Sequence, residues 1–169
     1  IVESNKPFVA AVHGWCIGGG LDLIAACDIR LASATTKISL RETKIAIVAD
    51  MGSLQRLEGI IGRGHVRELA FTGKDIDAER ARAIGLVNDV APTDAEAIER
   101  AFAMAGEIAD NAPLVVQGTK DILRATARWG EEAGLRYVAA WNAGQLASED
   151  LREAMSAFVE KRKPIYKGK

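Results

Sequence analysis

Hydrophobic and polar positions change their period along this chain, and the changes mark its elements. Residues 8–13 (FVAAVH) form a short apolar run between Pro7 and Gly14, the pattern of a buried strand. IGGGLDLIAACDIRLA follows. Gly18, Gly19 and Gly20 predict a tight turn, residues 21–27 a short helix and residues 29–32 a second strand. Strand, glycine turn, helix and strand make a βαβ unit, so a parallel sheet is expected. Another extended stretch is expected over residues 37–40. Leu54, Leu57 and Ile61 then recur at helical spacing behind Asp50, which occupies an N-cap position. Gly62 and Gly64 interrupt that pattern, and residues 65–72 predict a separate helix stopped by Gly73. Residues 77–84 predict a helix capped by Asp77 and stopped by Gly85, and LVNDV one more short strand.

From Thr93 onward the period is helical. Thr93 and Glu96 form a capping box for a helix that ends near Asp110. Pro113 opens a second helix running toward Trp129. A third is expected over residues 131–146, and Ser148 caps a fourth with Leu151, Met155 and Phe158 on one face. Residues 1–92 are therefore expected to be α/β and residues 93–169 helical. Around Tyr137, Val138 and Trp141 the apolar positions cover more than one helix face, which predicts burial on several sides. The covering partner is either another subunit or further layers of the same chain.

Composition narrows the class. Of 169 residues 49% are hydrophobic, enough for a real core and too many for a disordered chain. Lys+Arg number 22 and Asp+Glu 23, a balance without the basic face that nucleic-acid binding demands. Cys16 and Cys27 are too few for a disulfide framework and have no metal-ligand company. No apolar run approaches the ~20 residues of a membrane span, and the final YKGK is not a peroxisomal SKL-type signal. A reduced, cytoplasmic chain without metal or membrane partner is expected. It opens on IVESNKP without an initiator Met, as the later part of a longer polypeptide would.

The glycine turn and three acids are the candidate chemistry. Gly18, Gly19 and Gly20 let the backbone approach a ligand and leave N–H groups at a helix N-terminus. The turn lacks the Lys-Ser/Thr ending of a Walker loop and is not GxGxxG. An oxyanion hole fits better than a phosphate cradle, and a turn made for packing alone stays open. Asp22 lies one helical turn beyond. Glu42 and Asp50 flank TKIAIVA, in which Lys44 is the one charge. Each acid also has a structural reading: Asp22 as a favourable charge at the helix N-terminus, Asp50 as an N-cap, Glu42 as the partner of Arg41 or Lys44. His13, Ser39 and Asp28 compose a hydrolase triad only on paper, for there is no GxSxG elbow.

The segments NKPFVAAVHGWCIGGGLDLIAACDIRLA and RETKIAIVADMGSLQRLEGIIG, continuing through FTGKDIDAERARAIGLVNDV to MSAFVEKRK, resemble the enoyl-CoA hydratase/isomerase (crotonase) superfamily over essentially the whole chain. The resemblance implies a spiral of ββα turns followed by a helical trimerisation region. It implies an acyl-CoA thioester substrate, no separate cofactor because coenzyme A is part of the substrate, and self-association as a homotrimer or hexamer. It implies that the Gly19 N–H holds the thioester oxygen, in a geometry that tolerates little side-chain bulk. Gly18 and Gly20 flank that donor. A second donor would come from an earlier turn that this chain lacks. Lys161, in EKRK, is implied to reach the CoA phosphates.

The acids point to one branch. Glu42 lies 20 residues after Asp22, and Asp50 lies 8 after Glu42. This pattern resembles the Δ3,5-Δ2,4-dienoyl-CoA isomerases, whereas hydratases have Glu for Asp22 and Gly for Asp50. The implied reaction moves the double bonds of a 3,5-dienoyl thioester through a dienolate whose charge sits on the thioester oxygen. Glu42 is expected as the base at C2 and Asp50 as the acid at C6, its pKa raised by burial among Ile45, Ile47 and Val48. Asp22 is expected to modulate or relay for Glu42. Water addition to a 2-enoyl-CoA and a non-catalytic CoA-binding scaffold are the alternatives.

Overall fold

The computed structural model describes all of Ile1–Lys169, and the chain forms two compact units. Residues 1–2 and 8–105 make the first and residues 3–7 and 106–169 the second.

The first unit contains β1 (Val9–Val12), β2 (Trp15–Ile17), α1 (Gly19–Ala25), β3 (Ile29–Ser33), β4 (Lys37–Ser39), a 3-10 helix (Glu42–Ile45), α2 (Ser53–Thr72), β5 (Asp75–Asp77), α3 (Ala78–Ala83) and β6 (Asp89–Ala91). β1, β3 and β6 form one all-parallel sheet, and β2, β4 and β5 a second sheet in which only the β4–β5 pair is antiparallel. β1 and β2 before α1, and β3 and β4 before α2, each place one strand in either sheet, the ββα winding that the resemblance implies; β5 breaks the alternation by pairing with β4. The parallel sheet is as expected. The simple βαβ unit is not, because β2 intervenes between β1 and α1 and belongs to the other sheet. β2 and β5 have three residues each, too short to carry a period of their own.

Leu21, Ile38, Leu40, Leu57, Leu69 and Leu86 are fully buried at the centre of this unit. The break expected in α2 falls at Gly62, whose φ of 76° and ψ of 161° are open to glycine at little cost. Asp77 caps α3 by accepting the Arg80 N–H at 2.8 Å. Asp50 caps nothing: α2 starts at Ser53 behind Gly52, which has no side chain to offer.

α4 (Asp94–Ala109) spans the division between the units. The sequence turns helical at residue 93, but the first turns of α4 pack with the strands. Ala97 and Ala101 are buried, Asp94 accepts from the Thr35 hydroxyl at 2.8 Å, and Arg100 pairs with Asp89 at 2.7 Å.

In the second unit, α5 (Pro113–Trp129) and α6 (Glu131–Gln145) pack closely at two glycines. A Cβ on Gly118 would collide with the Trp141 indole, and one on Gly134 with Thr126. Tyr137 donates to Asp121 at 3.0 Å and meets Trp141 edge-on at 6.1 Å. Tyr137, Val138 and Trp141 are half-buried, while Leu135 on the same helix stays 62% exposed. α7 (Glu149–Glu160) is capped by Ser148, as expected. Its buried Asp150 accepts the backbone N–H groups of Lys167 and Gly168, folding the last residues back along the helix. No helix is long and apolar enough to cross a membrane.

Candidate active site

The site begins where β4 supports the glycine turn. Gly18 precedes α1 with φ 51° and ψ −114°, and its N–H donates to the Ser39 carbonyl at 3.1 Å. Gly19 and Gly20 open α1, so their N–H groups have no partner within the helix. A Cβ on Gly20 would make ordinary contact with Cys16 Sγ at 3.5 Å. Burial pushes that thiol up to about 11, which keeps it protonated and unreactive. Nothing in the chain itself lies within 4 Å of a Cβ placed on Gly19. Gly18 is the crowded member: its Cβ would stand 3.1 Å from Glu42 Oε1.

Glu42 is the first residue of the 3-10 helix and is half-buried. Neither cation considered for it is its partner, since Arg41 pairs with Asp75 and Lys44 makes no ion pair with it. Glu42 Oε2 is buried and unpartnered. Glu42 also lines an otherwise largely apolar cavity of about 400 Å³ with Leu40, Ile47, Ala49, Leu54 and Phe71. A buried carboxylate oxygen without a donor is costly in a folded protein and calls for an explanation.

Asp22 is buried, 4% exposed, and its Oδ1 accepts the Ser53 N–H at 2.7 Å. It therefore satisfies the first N–H of α2, the job expected of Asp50. Asp50 itself is exposed and makes no hydrogen bond or ion pair. The burial expected for it is also absent, because Ile45, Ile47 and Val48 are 69%, 53% and 74% exposed. Lys161 ends α7 in the second unit, exposed and left-handed at φ 55°. The fold thus gathers Gly18, Gly19, Gly20, Asp22 and Glu42 around one turn. Asp50 lies on the segment that leads into α2. The paper triad is not assembled: Ser39 bonds to the Gly73 and Lys74 carbonyls, His13 pairs with Asp94, and Asp28 accepts the Phe8 N–H.

Residues 1–169 match a family model described as enoyl-CoA hydratase/isomerase. The chain belongs to that family. It is 50% identical over 167 residues to the mitochondrial Δ(3,5)-Δ(2,4)-dienoyl-CoA isomerase of Dictyostelium discoideum, covering 99% of this chain and 57% of that protein. It is 45% identical to the peroxisomal Δ(3,5)-Δ(2,4)-dienoyl-CoA isomerase of Arabidopsis thaliana, covering 98% of this chain and 60% of that one. Among solved structures, an enoyl-CoA hydratase from Bacillus anthracis superposes with a TM-score of 0.95 at 36% identity, covering 99% of this chain and 64% of that one. The superposition bears out the crotonase-like α/β fold with its helical C-terminal region. The chain spans less than two thirds of the length of these relatives.

The comparisons overturn the expectation of a cytoplasmic chain, for the isomerases it matches carry mitochondrial and peroxisomal names. Two cysteines outside any disulfide and a near-neutral charge argue only against a disulfide framework and a nucleic-acid partner, and those properties do not single out one reducing compartment.

Proposed function

We propose that this chain carries the catalytic carboxylates of an acyl-CoA isomerase that converts 3,5-dienoyl-CoA to 2,4-dienoyl-CoA. One observation carries the reading: the Glu42 carboxylate stands against the glycine turn with one oxygen buried and unpartnered beside an apolar cavity. A base must lie beside the oxyanion donors, because the proton it removes is on the carbon next to the thioester carbonyl. The cavity walls are suited to the acyl part of a substrate.

In this reading Glu42 removes a proton from C2. The electron pair spreads into an extended enolate whose oxygen is held by the Gly19 N–H. Asp50 delivers a proton to C6, which leaves the double bonds at C2 and C4. Asp22 anchors α2 through Ser53 and adds a second carboxylate near the turn, where it tunes Glu42. The identities of 50% and 45% to proteins named dienoyl-CoA isomerases support isomerisation over hydration, since the structure named a hydratase stands at 36%.

Exposed apolar side chains on α5 and α7, among them Leu123, Met155, Phe158 and Val159, support self-association as a trimer or hexamer. The exposed Lys161 is available to CoA phosphates. The full-length enzyme with 3,5-dienoyl-CoA tests the reading. A product of unchanged mass with a new longer-wavelength absorbance means isomerase. Added water means hydratase, and no change means a binding scaffold.

A further inference from the structure

Arg41 sits where β4 hands over to the 3-10 helix that carries Glu42, and its carbonyl accepts the Lys44 N–H at 2.9 Å. Its guanidinium donates through Nη2 to both carboxylate oxygens of Asp75, each at 2.5 Å, and lies over the Trp15 ring at 5.8 Å. Asp75 opens β5 directly opposite Ser39 in the β4–β5 register. Ser39 is also the residue whose carbonyl holds Gly18. One pair of strands therefore anchors both parts of the site: the glycine turn through Ser39, and the Glu42 helix through Arg41 and Asp75.

Stability alone does not account for this arrangement. Arg41 and Asp75 are each about one third exposed (36% and 34%), and ion pairs of that kind contribute little to folding. The clamp also leaves Arg41 Nε buried without a partner, an unfavourable arrangement for a purely stabilising contact. What the clamp does fix is the orientation of the residue next to it. Glu42 has no ion pair of its own and must be held by its backbone.

We propose that Arg41, clamped between Asp75 and Trp15, is a positioning residue that sets the Glu42 carboxylate against the glycine turn. The inference rests on Glu42 being the proton-transferring group. Lysine is a poor substitute, because it lacks the planar fork that meets a carboxylate and stacks on an indole. Groups that orient a reacting residue typically change activity by about 10–100-fold when lost.

The test uses the full-length enzyme and 3,5-dienoyl-CoA. Arg41→Lys and Asp75→Asn are expected to lower kcat at least ~10-fold with KM within about 2-fold and a nearly unchanged melting curve. Asp75→Glu, which keeps the charge, is expected to recover much of the loss. In a Glu42→Gln background, adding Asp75→Asn is expected to cost nothing further, because the clamp acts only through Glu42. Trp15→Leu gives an independent reading of the same clamp and is expected to lower kcat in the same way. Full kcat in folded Arg41→Lys and Asp75→Asn, with Glu42→Gln strongly slowed but still measurable, overturns the clamp alone. A further loss on adding Asp75→Asn to Glu42→Gln also overturns it. Full turnover in Glu42→Gln overturns the assignment of Glu42 and the clamp with it.

Discussion

A methyl group on Gly18 would stand 3.1 Å from the Oε1 atom of Glu42. Gly18 also has a φ of 51°, which side chains rarely adopt. Gly18→Ala is therefore expected to lose roughly 1–3 kcal/mol of stability and to displace the Glu42 carboxylate, with a fall in turnover. Gly19→Ala fills open space, and its stability is expected within about 1 kcal/mol of the parent. Urea melts and steady-state kinetics on both variants check the contrast. Equal behaviour of the two would show that the Gly18–Glu42 contact does not matter.

Asp22 has a structural job that separates its charge from its acceptor. Asp22→Ala leaves the buried Ser53 N–H unpaired and is expected to cost about 1–3 kcal/mol. Asp22→Asn keeps an acceptor and is expected to melt close to the parent, while turning over more slowly if the charge tunes Glu42. A large loss of stability in the Asn variant would contradict this division.

Asp50 offers a cleaner separation, because it is exposed and holds nothing in place. Asp50→Asn is expected to change stability by less than about 0.5 kcal/mol. As the acid at C6 it is expected to lower isomerisation by ~10²–10⁴-fold. Water addition to a 2-enoyl-CoA would be barely affected by this change and abolished by Glu42→Gln. Unchanged dienoyl isomerisation in Asp50→Asn would defeat the three-acid mechanism.

The last residues of the chain should loosen in acid. The Arg162 guanidinium and the Ile165 N–H hold the Glu153 carboxyl at about 2, against 4.5 for an ordinary glutamate. The folded pKa is depressed, so this contact is complete above the ordinary value. It weakens as the pH falls below 4.5 and is lost on passing about 2. Protection of the Ile165 amide, taken against its intrinsic exchange rate at each pH, is expected to fall across that window as acid is added. In Glu153→Gln this fall is expected to disappear, and a persistent fall in protection there would assign it to another group.

The helical half of the chain was legible almost residue by residue. Its caps at Thr93, Ser148 and Pro113 act through side chains or ring geometry a few positions away, so the local sequence contains the whole interaction. The same holds for Asp77 and for the break at Gly62. The residue types at the site, and the resemblance they carry, were legible for the same reason: three glycines and three acids at fixed spacing are visible without a fold.

What only the tertiary structure decided are the partners of those residues. Asp50 stands at a favourable cap position, yet the N–H at the start of α2 goes to Asp22, 31 residues earlier in the chain. Arg41 is adjacent to Glu42, yet its charge goes to Asp75, 34 residues away. The close contact in the glycine turn falls on Gly18, because the 3-10 helix places Glu42 over it. The two sheets pair strands of three to five residues from distant turns of the spiral, and their packing decides which donor meets which acceptor. A chain's sequence specifies its local caps and turns directly. It specifies long-range hydrogen bonds and ion pairs only through the register that its core imposes.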